Sequence, residues 1–301
     1  MAAKIDAVLP LTLQDYERSD LLRESLRRFF ADLGTCWVVV RDDEFDQITT
    51  MIKDSKYRVI PESAIIPELG FYNFLRRVAS RSHKPTSGYH VQQLIKLAIA
   101  AFVDTEFYLT LDADVICIRP VRASDLISAG RAITHRYPLS LHLEWYLHAE
   151  RVLGLRRSGW SHAVTPSLLN REAMLKFQRY LERRVNPVLR FLAFFLPQRS
   201  RLKANLVSWR SYLIRNLPWT EYSLYNTFLE AFDLYESYYA AGSGSMVYGN
   251  GVWERGEFPS WDPGANARPD EPNFFFTVVQ SHTGVSVREV RERVRKYLEH
   301  Q

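Results

Sequence analysis

Short apolar runs alternate with amphipathic stretches along the first third of the chain. Ile5 to Leu11 reads as a first strand. Asp20 to Phe30 has helical spacing, with Leu21, Leu22, Leu26, Phe29 and Phe30 on its apolar side. Cys36 to Val40 reads as a second strand, ending in a polar Arg41-Asp42-Asp43 turn, and Tyr57 to Ile60 as a third before Pro61. This alternation predicts βαβ units and a mostly parallel sheet, with ligands bound beyond the carboxyl ends of its strands. Gly88 to Phe102 predicts a helix. Val91, Leu94, Ile95 and Ala98 form one face, and Gln92 and Lys96 lie on another, four residues apart. That helix feeds straight into a run of β-formers from Phe107, so its polar residues can look into the same cleft as the end of that strand.

The second half is less regular. Leu139 to Gly154 is rich in His, Glu and Trp. His162 to Asn170 reads as a strand followed by a helix from Arg171, and Thr220 to Tyr235 as a further helix. Gly242 to Pro272 is dense in Gly, Pro, Trp and Asn and predicts a long loop region. Phe274 to Val279 reads as a late strand, then comes Gln280-Ser281-His282-Thr283-Gly284, and a basic helix runs from Val285. There is no internal repeat and no low-complexity linker. Residues 1–301 are therefore expected to form one α/β domain, with a regular half over 1–125 and a variable half over 126–301.

Composition narrows the class of function. The chain has 301 residues, 47% hydrophobic and 24% charged, which suits a large globular core. A net charge of +5 and an isoelectric point near 9.1 favour anionic ligands such as nucleoside diphosphates or phospholipid surfaces. No helix-turn-helix, zinc-finger or RNA-binding signature is present, so nucleic acid is not an expected partner. Two cysteines, Cys36 and Cys117, allow neither a disulfide framework nor a CxxC zinc pattern, which favours a reducing compartment. The N-terminus lacks the apolar core of a signal peptide, and no run reaches the roughly 18–20 apolar residues of a membrane span. A cytoplasmic protein is expected, with peripheral contact at the inner face of the plasma membrane as a further reading.

The candidate chemistry centres on Phe107-Tyr-Leu-Thr-Leu-Asp112-Ala-Asp114-Val-Ile-Cys-Ile-Arg119-Pro120. Carboxylates at the end of a buried strand are costly unless paired. A hard divalent cation such as Mg²⁺ or Mn²⁺ is a natural partner, because it takes oxygen ligands and leaves positions for phosphate oxygens. Regular strand geometry would put Asp112 and Asp114 on one face, poised to hold one metal against a donor diphosphate.

The block Tyr89-His-Val-Gln92-Gln93-Leu-Ile-Lys96-Leu, then Tyr108-Leu-Thr-Leu-Asp112-Ala-Asp114, then Arg119-Pro120, resembles the GT-A class of nucleotide-sugar glycosyltransferases. Within that class the chain is similar to glycosyltransferase family 8 and to a bacterial glycosyltransferase-like family of unknown function. Softer matches at 162–170 and 220–225 extend the likeness over most of the chain. The resemblance implies a Rossmann-like, mostly parallel sheet, a UDP- or GDP-sugar donor, and Mn²⁺ or Mg²⁺. It also implies that His282, after a late strand, completes the metal site with Asp112 and Asp114. Glu221 starts a helix, where the macrodipole favours its ionised form. The resemblance gives it the role of the acidic base that takes the proton of an acceptor hydroxyl.

Other donor contacts follow from position. Asp112 itself, Gln92, Gln93 and Lys96 could meet phosphate or sugar hydroxyls, and Asp42 at the end of the second strand could meet the nucleoside. Trp219, Trp253 and Trp261 are either sugar-stacking surfaces or core. The Arg184 to Lys203 segment carries an apolar stretch between Pro187 and Pro197, flanked by Arg184, Arg199, Arg201 and Lys203. It reads equally as a buried helix or as a membrane-contact segment, the latter implying a lipid-linked or envelope-glycan acceptor. A haloacid-dehalogenase-type phosphatase also carries Asp-x-Asp after a strand, but no Gly-Asp pair occurs in this chain. A sugar nucleotidyltransferase would need a glycine-rich N-terminal loop, whereas Leu11-Thr-Leu-Gln-Asp-Tyr16 has no glycine. A non-catalytic binding protein of the same fold stays open, against an intact Asp-Ala-Asp.

Overall fold

A five-stranded sheet runs through the middle of the protein. Its strands are β1 (Ile5–Leu11), β2 (Leu33–Val40), β3 (Tyr57–Pro61), β4 (Phe107–Thr110) and an edge strand, Ser167–Asn170. The order is Ser167–Asn170, β4, β1, β2, β3. β4, β1, β2 and β3 run parallel, and the edge strand pairs antiparallel to β4. The computed structural model describes residues 4–70, 88–134, 136–156, 159–162, 165–185, 187–197, 207–241, 250–265 and 274–299.

All seven residues of β1 are buried, as expected for a parallel strand covered on both faces. Asp6 is tolerated there because its carboxylate is fully engaged. Oδ1 accepts from the Thr35 N–H (2.8 Å) and Oδ2 from the Asp104 N–H (3.1 Å). The Tyr16–Phe29 helix buries Leu21, Leu22, Leu26 and Phe29, and the Gly88–Ala98 helix buries Leu94, Ile95, Leu97 and Ala98. Both thiols, Cys36 and Cys117, are free and buried. Among the described residues, no helix is long and apolar enough to cross a membrane.

Five sequence expectations are revised in detail. The apolar run through Asp112 and Asp114 is not one strand. β4 ends at Thr110, the two aspartates lie in a turn closed by the Val115 N–H on the Asp112 carbonyl (3.1 Å), and β5 (Val115–Cys117) leaves the central sheet. β5 pairs antiparallel with Phe276–Val278 instead. Strand periodicity therefore does not set the directions of the two carboxylates. The stretch 162–170 also divides: Trp160–His162 pairs with Arg136–Pro138, and Ser167–Asn170 joins the central sheet. Residues 163 and 164 lie outside the described residues. The helix expected over 220–235 is Glu221–Ala231, followed by a short Tyr235–Tyr238 turn of helix. The irregular 139–154 region contains a helix, Leu143–Leu153, stopped by Gly154 at φ 63°. Of the expected 242–272 loop, residues 242–249 and 266–272 lie outside the described residues, and Arg255–Ser260 is a 3₁₀ helix.

The C-terminal helix, Val287–Glu299, lays Val290, Val294 and Leu298 into the core and packs on the Tyr16–Phe29 helix. Spacing of four residues puts these three on one stripe. The C-terminus is thus held against the N-terminal βα unit, and the segment between Val279 and Val285 is carried to the end of the central sheet.

Candidate active site

A cleft of about 510 Å³ opens beyond the carboxyl ends of β1 and β4. Its lining contains Pro10, Asp112, Ala113 and Asp114 from the strand ends, and Tyr89, Gln92, Gln93 and Lys96 from the Gly88–Ala98 helix. Thr220, Glu221 and Tyr222 enter from the next wall, and Trp253, Gln280, Ser281 and His282 from the C-terminal side. Ligand clefts at this position are a property of open parallel sheets.

Lys96 stands at the centre, only 3% exposed. Its Nζ lies 2.8 Å from Asp112 Oδ1 and 3.2 Å from Glu221 Oε1, and donates to Thr165 Oγ1 at 2.9 Å. Its backbone carbonyl accepts from the Tyr108 hydroxyl (2.9 Å), which fixes this turn of the helix over β4. Burial pulls the Lys96 pKa down, but Asp112, Tyr222 and Glu221 outweigh it and hold the ammonium charged, well above its ordinary range. The polar helix face expected to look into the cleft thus carries a buried, charged centre.

Glu221 is also buried, at the first turn of Glu221–Ala231, with Thr220 as N-cap accepting from the Ser223 N–H (3.3 Å). The Glu221 N–H donates to Gln93 Oε1 (3.0 Å), so the two helices that carry Lys96 and Glu221 are joined at the cleft. Burial raises the Glu221 carboxyl above the usual carboxylate range, against the pull of Lys96, and nearby Asp112 adds to the rise. One ammonium thus serves two carboxylates, Asp112 and Glu221.

Asp114 is 8% exposed. Its Oδ2 accepts from the Ser281 N–H (3.1 Å), while Oδ1, although buried, has no hydrogen-bond partner among the described residues. Burial pushes its pKa up to about 7, and the Asp112 charge adds to that. A buried carboxylate oxygen without a partner is unfavourable unless a cation or donor reaches it.

His282 sits on the cleft rim in the Ser281–Thr283 3₁₀ turn, its Nε2 3.1 Å from the Trp253 carbonyl oxygen. Among the described residues, no three His, Cys, Asp or Glu side chains are gathered closely enough to hold a metal as they stand. Arg18 brackets this segment from below, donating to the Val279 (3.2 Å) and Val285 (2.8 Å) carbonyls.

The structure thus brings Gln92, Gln93, Lys96, Asp112, Asp114, Glu221 and His282 to one cleft. Asp42 is not among the lining residues. It is exposed in the turn after β2, bonded to Ser63, and its charge, after burial, helps push Glu62 up to about 7. Trp219 and Trp261 are core residues, 2% exposed each, with their indole N–H groups on the Leu213 and Asn250 carbonyls. Only Trp253 of the three lines the cleft. Sequence reasoning missed Thr165, Tyr222, Ser281 and Trp145. Tyr222 and Ser281 adjoin Glu221 and His282, a signal that could have found them. Thr165 carried none.

No curated protein matches the chain in sequence. Mouse xyloside xylosyltransferase 1, in its apo form, aligns with a TM-score of 0.48 and 11% identity over 94% of this chain and 100% of that one. The glycosyltransferase GlyE of Streptococcus pneumoniae TIGR4 aligns, as its apo form, with a TM-score of 0.43 and 14% identity over 99% of this chain and 61% of GlyE. A sequence-family model matches nearly the whole chain. The protein belongs to the family of unknown function DUF6492, over residues 2–301.

Proposed function

We propose that the protein is a divalent-metal-dependent glycosyltransferase of the GT-A kind. It would move a sugar from a UDP- or GDP-sugar to a hydroxyl of a glycan or lipid-linked acceptor. One observation carries this reading: Asp112, Asp114, Lys96 and Glu221 converge at the carboxyl edge of a parallel sheet, and a buried Asp114 oxygen there has no hydrogen-bond partner among the described residues.

The two carboxylates are of the donor type a hard cation takes, and together with His282 they would have to draw closer to share one. Asp112 and Asp114 would hold Mn²⁺ or Mg²⁺, with His282 on the rim as the third ligand. Its Nε2, facing the Trp253 carbonyl, leaves Nδ1 for coordination, a common arrangement for ligating histidines. When bound, the metal supplies charge compensation for the departing nucleoside diphosphate. Lys96 adds a fixed positive charge facing the same volume, and the Gln92 and Gln93 amides offer groups to sugar hydroxyls. Glu221 accepts the hydroxyl proton as the acceptor oxygen bonds to the anomeric carbon. The bond from that carbon to the phosphate oxygen breaks, and its electron pair leaves with the nucleotide. Burial suits Glu221 to this task, since a base with a raised pKa draws a proton more strongly.

The test is a thermal-shift panel of UDP-, GDP- and CMP-sugars, with and without Mn²⁺, on wild type and Asp114→Asn. A metal-dependent rise in melting temperature with one nucleotide class, absent in the variant, is expected. A shift of equal size in Asp114→Asn would remove the metal assignment. No shift with any nucleotide would remove the donor assignment.

A further inference from the structure

A helix in a globular protein normally turns its apolar stripe inward. The Pro187–Phe194 helix does the reverse. Val188, Phe191, Leu192 and Phe195 follow the spacing i, i+3, i+4, i+7, and together with Phe194 they are each 54–75% exposed. Ala193, on the opposite side, is buried. The phenyl groups brace one another, Phe191 to Phe195 at 5.2 Å and Phe194 to Phe195 at 5.7 Å between ring centres, so the face is ordered rather than splayed. Charge accompanies it. The sequence from Arg183 to Lys203 holds Arg183, Arg184, Arg190, Arg199, Arg201 and Lys203, and no Asp or Glu. Arg183 and Arg184, at the end of the preceding helix, are exposed.

The geometry points to an interfacial membrane contact: the Pro187–Phe194 helix lies on an anionic lipid surface, its phenylalanines and leucine at the headgroup boundary and the exposed Arg183 and Arg184 on lipid phosphates. Two physical arguments favour lipid over a second copy of the chain. A two-fold self-contact would set the same patch against itself and face its cations with cations. The helix is also only about 12 Å long, so its single outward face offers much less area than the roughly 800 Å² per partner of a stable interface. It is equally too short to span a bilayer, which leaves insertion at the surface, where aromatics with cationic flanks are favoured. The inference stands apart from the proposed reaction, since none of these residues lines the cleft.

Co-flotation with vesicles tests it. The 301-residue chain is mixed with vesicles of phosphatidylcholine alone, or of phosphatidylcholine and phosphatidylglycerol in equal parts, at low and high salt. Binding is expected only to the anionic vesicles and should fall at high salt. The Phe191→Ser, Phe194→Ser, Phe195→Ser triple variant should bind about tenfold more weakly or worse, with its melting temperature kept. Phe194→Ser alone serves where the triple variant does not fold, and should still weaken binding. Equal binding to neutral vesicles, no binding to anionic ones, or binding unchanged by the serine variants overturns the assignment. So does a concentration-dependent dimer in light scattering that the serine variants abolish, which would give the face to a second copy.

Discussion

Lys96 carries one positive charge against two carboxylates in a space that water barely reaches. Removing the ammonium strands a buried Glu221 beside Asp112. Lys96→Met should therefore destabilise the fold by about 3 kcal/mol in urea denaturation, the usual consequence of breaking a buried ion pair from one side. Adding Glu221→Gln to that variant should recover part of the loss, because the stranded charge is then gone. If Lys96→Met proves as stable as wild type, the pair is not coupled as described. Glu221→Gln alone should keep the fold and lower sugar transfer about 100-fold or more, the loss typical of a missing general base. At this scale the sequence was informative about identity but not about burial. Gln92 and Lys96 share a helix face in any reading. That the face turns inward depends on Tyr108, Thr165 and Tyr222, which lie from 12 to 126 positions away in the chain.

The elements show where periodicity succeeds. β1 was legible to the residue because a doubly covered parallel strand needs an unbroken apolar run, and few other structures do. β4 and β5 read as one strand because their apolar runs differ in nothing local. Their separation comes from β5 pairing with Phe276–Val278, which no window around Asp112 contains. Gly34 gives a test of how tightly the sheet is specified. A Cβ there would run into the Asp6 carboxylate, which the Thr35 and Asp104 N–H groups hold in place. Gly34→Ala should lower stability by about 1–3 kcal/mol through overpacking. In an Asp6→Ala background the same substitution should cost little, and an equal cost in both backgrounds would exclude the carboxylate as the obstacle.

Across the whole molecule, the cleft is assembled from the two ends of the chain. Ser281 reaches Asp114 over 167 positions, and Arg18 ties down the carbonyls on either side of the Ser281–Thr283 turn. Arg18 lines no part of the cleft; it acts on the site by positioning this turn and through its charge, which pulls against the rise of the Asp114 pKa. Arg18→Met should weaken donor affinity about tenfold in titration calorimetry with Mn²⁺ present, and cost about 1–2 kcal/mol of stability from the carbonyls left without a donor. Lost stability with donor affinity intact would show that the bracket is structural only.

Local chemistry determined a good deal by itself. The apolar runs set a parallel α/β sheet, and the Asp-Ala-Asp motif, with Glu221 at a helix start, marked residues that do share a cleft. These features are legible because each depends on neighbours within about a turn or a strand. Other features were decided by contacts between distant segments. The turn geometry of Asp112 and Asp114, the burial of Lys96, the core roles of Trp219 and Trp261, and the outward apolar face of Pro187–Phe194 are all of this kind. Burial is a property of the packed whole: an apolar stripe in the sequence states that a face wants covering, and only the tertiary structure decides what covers it.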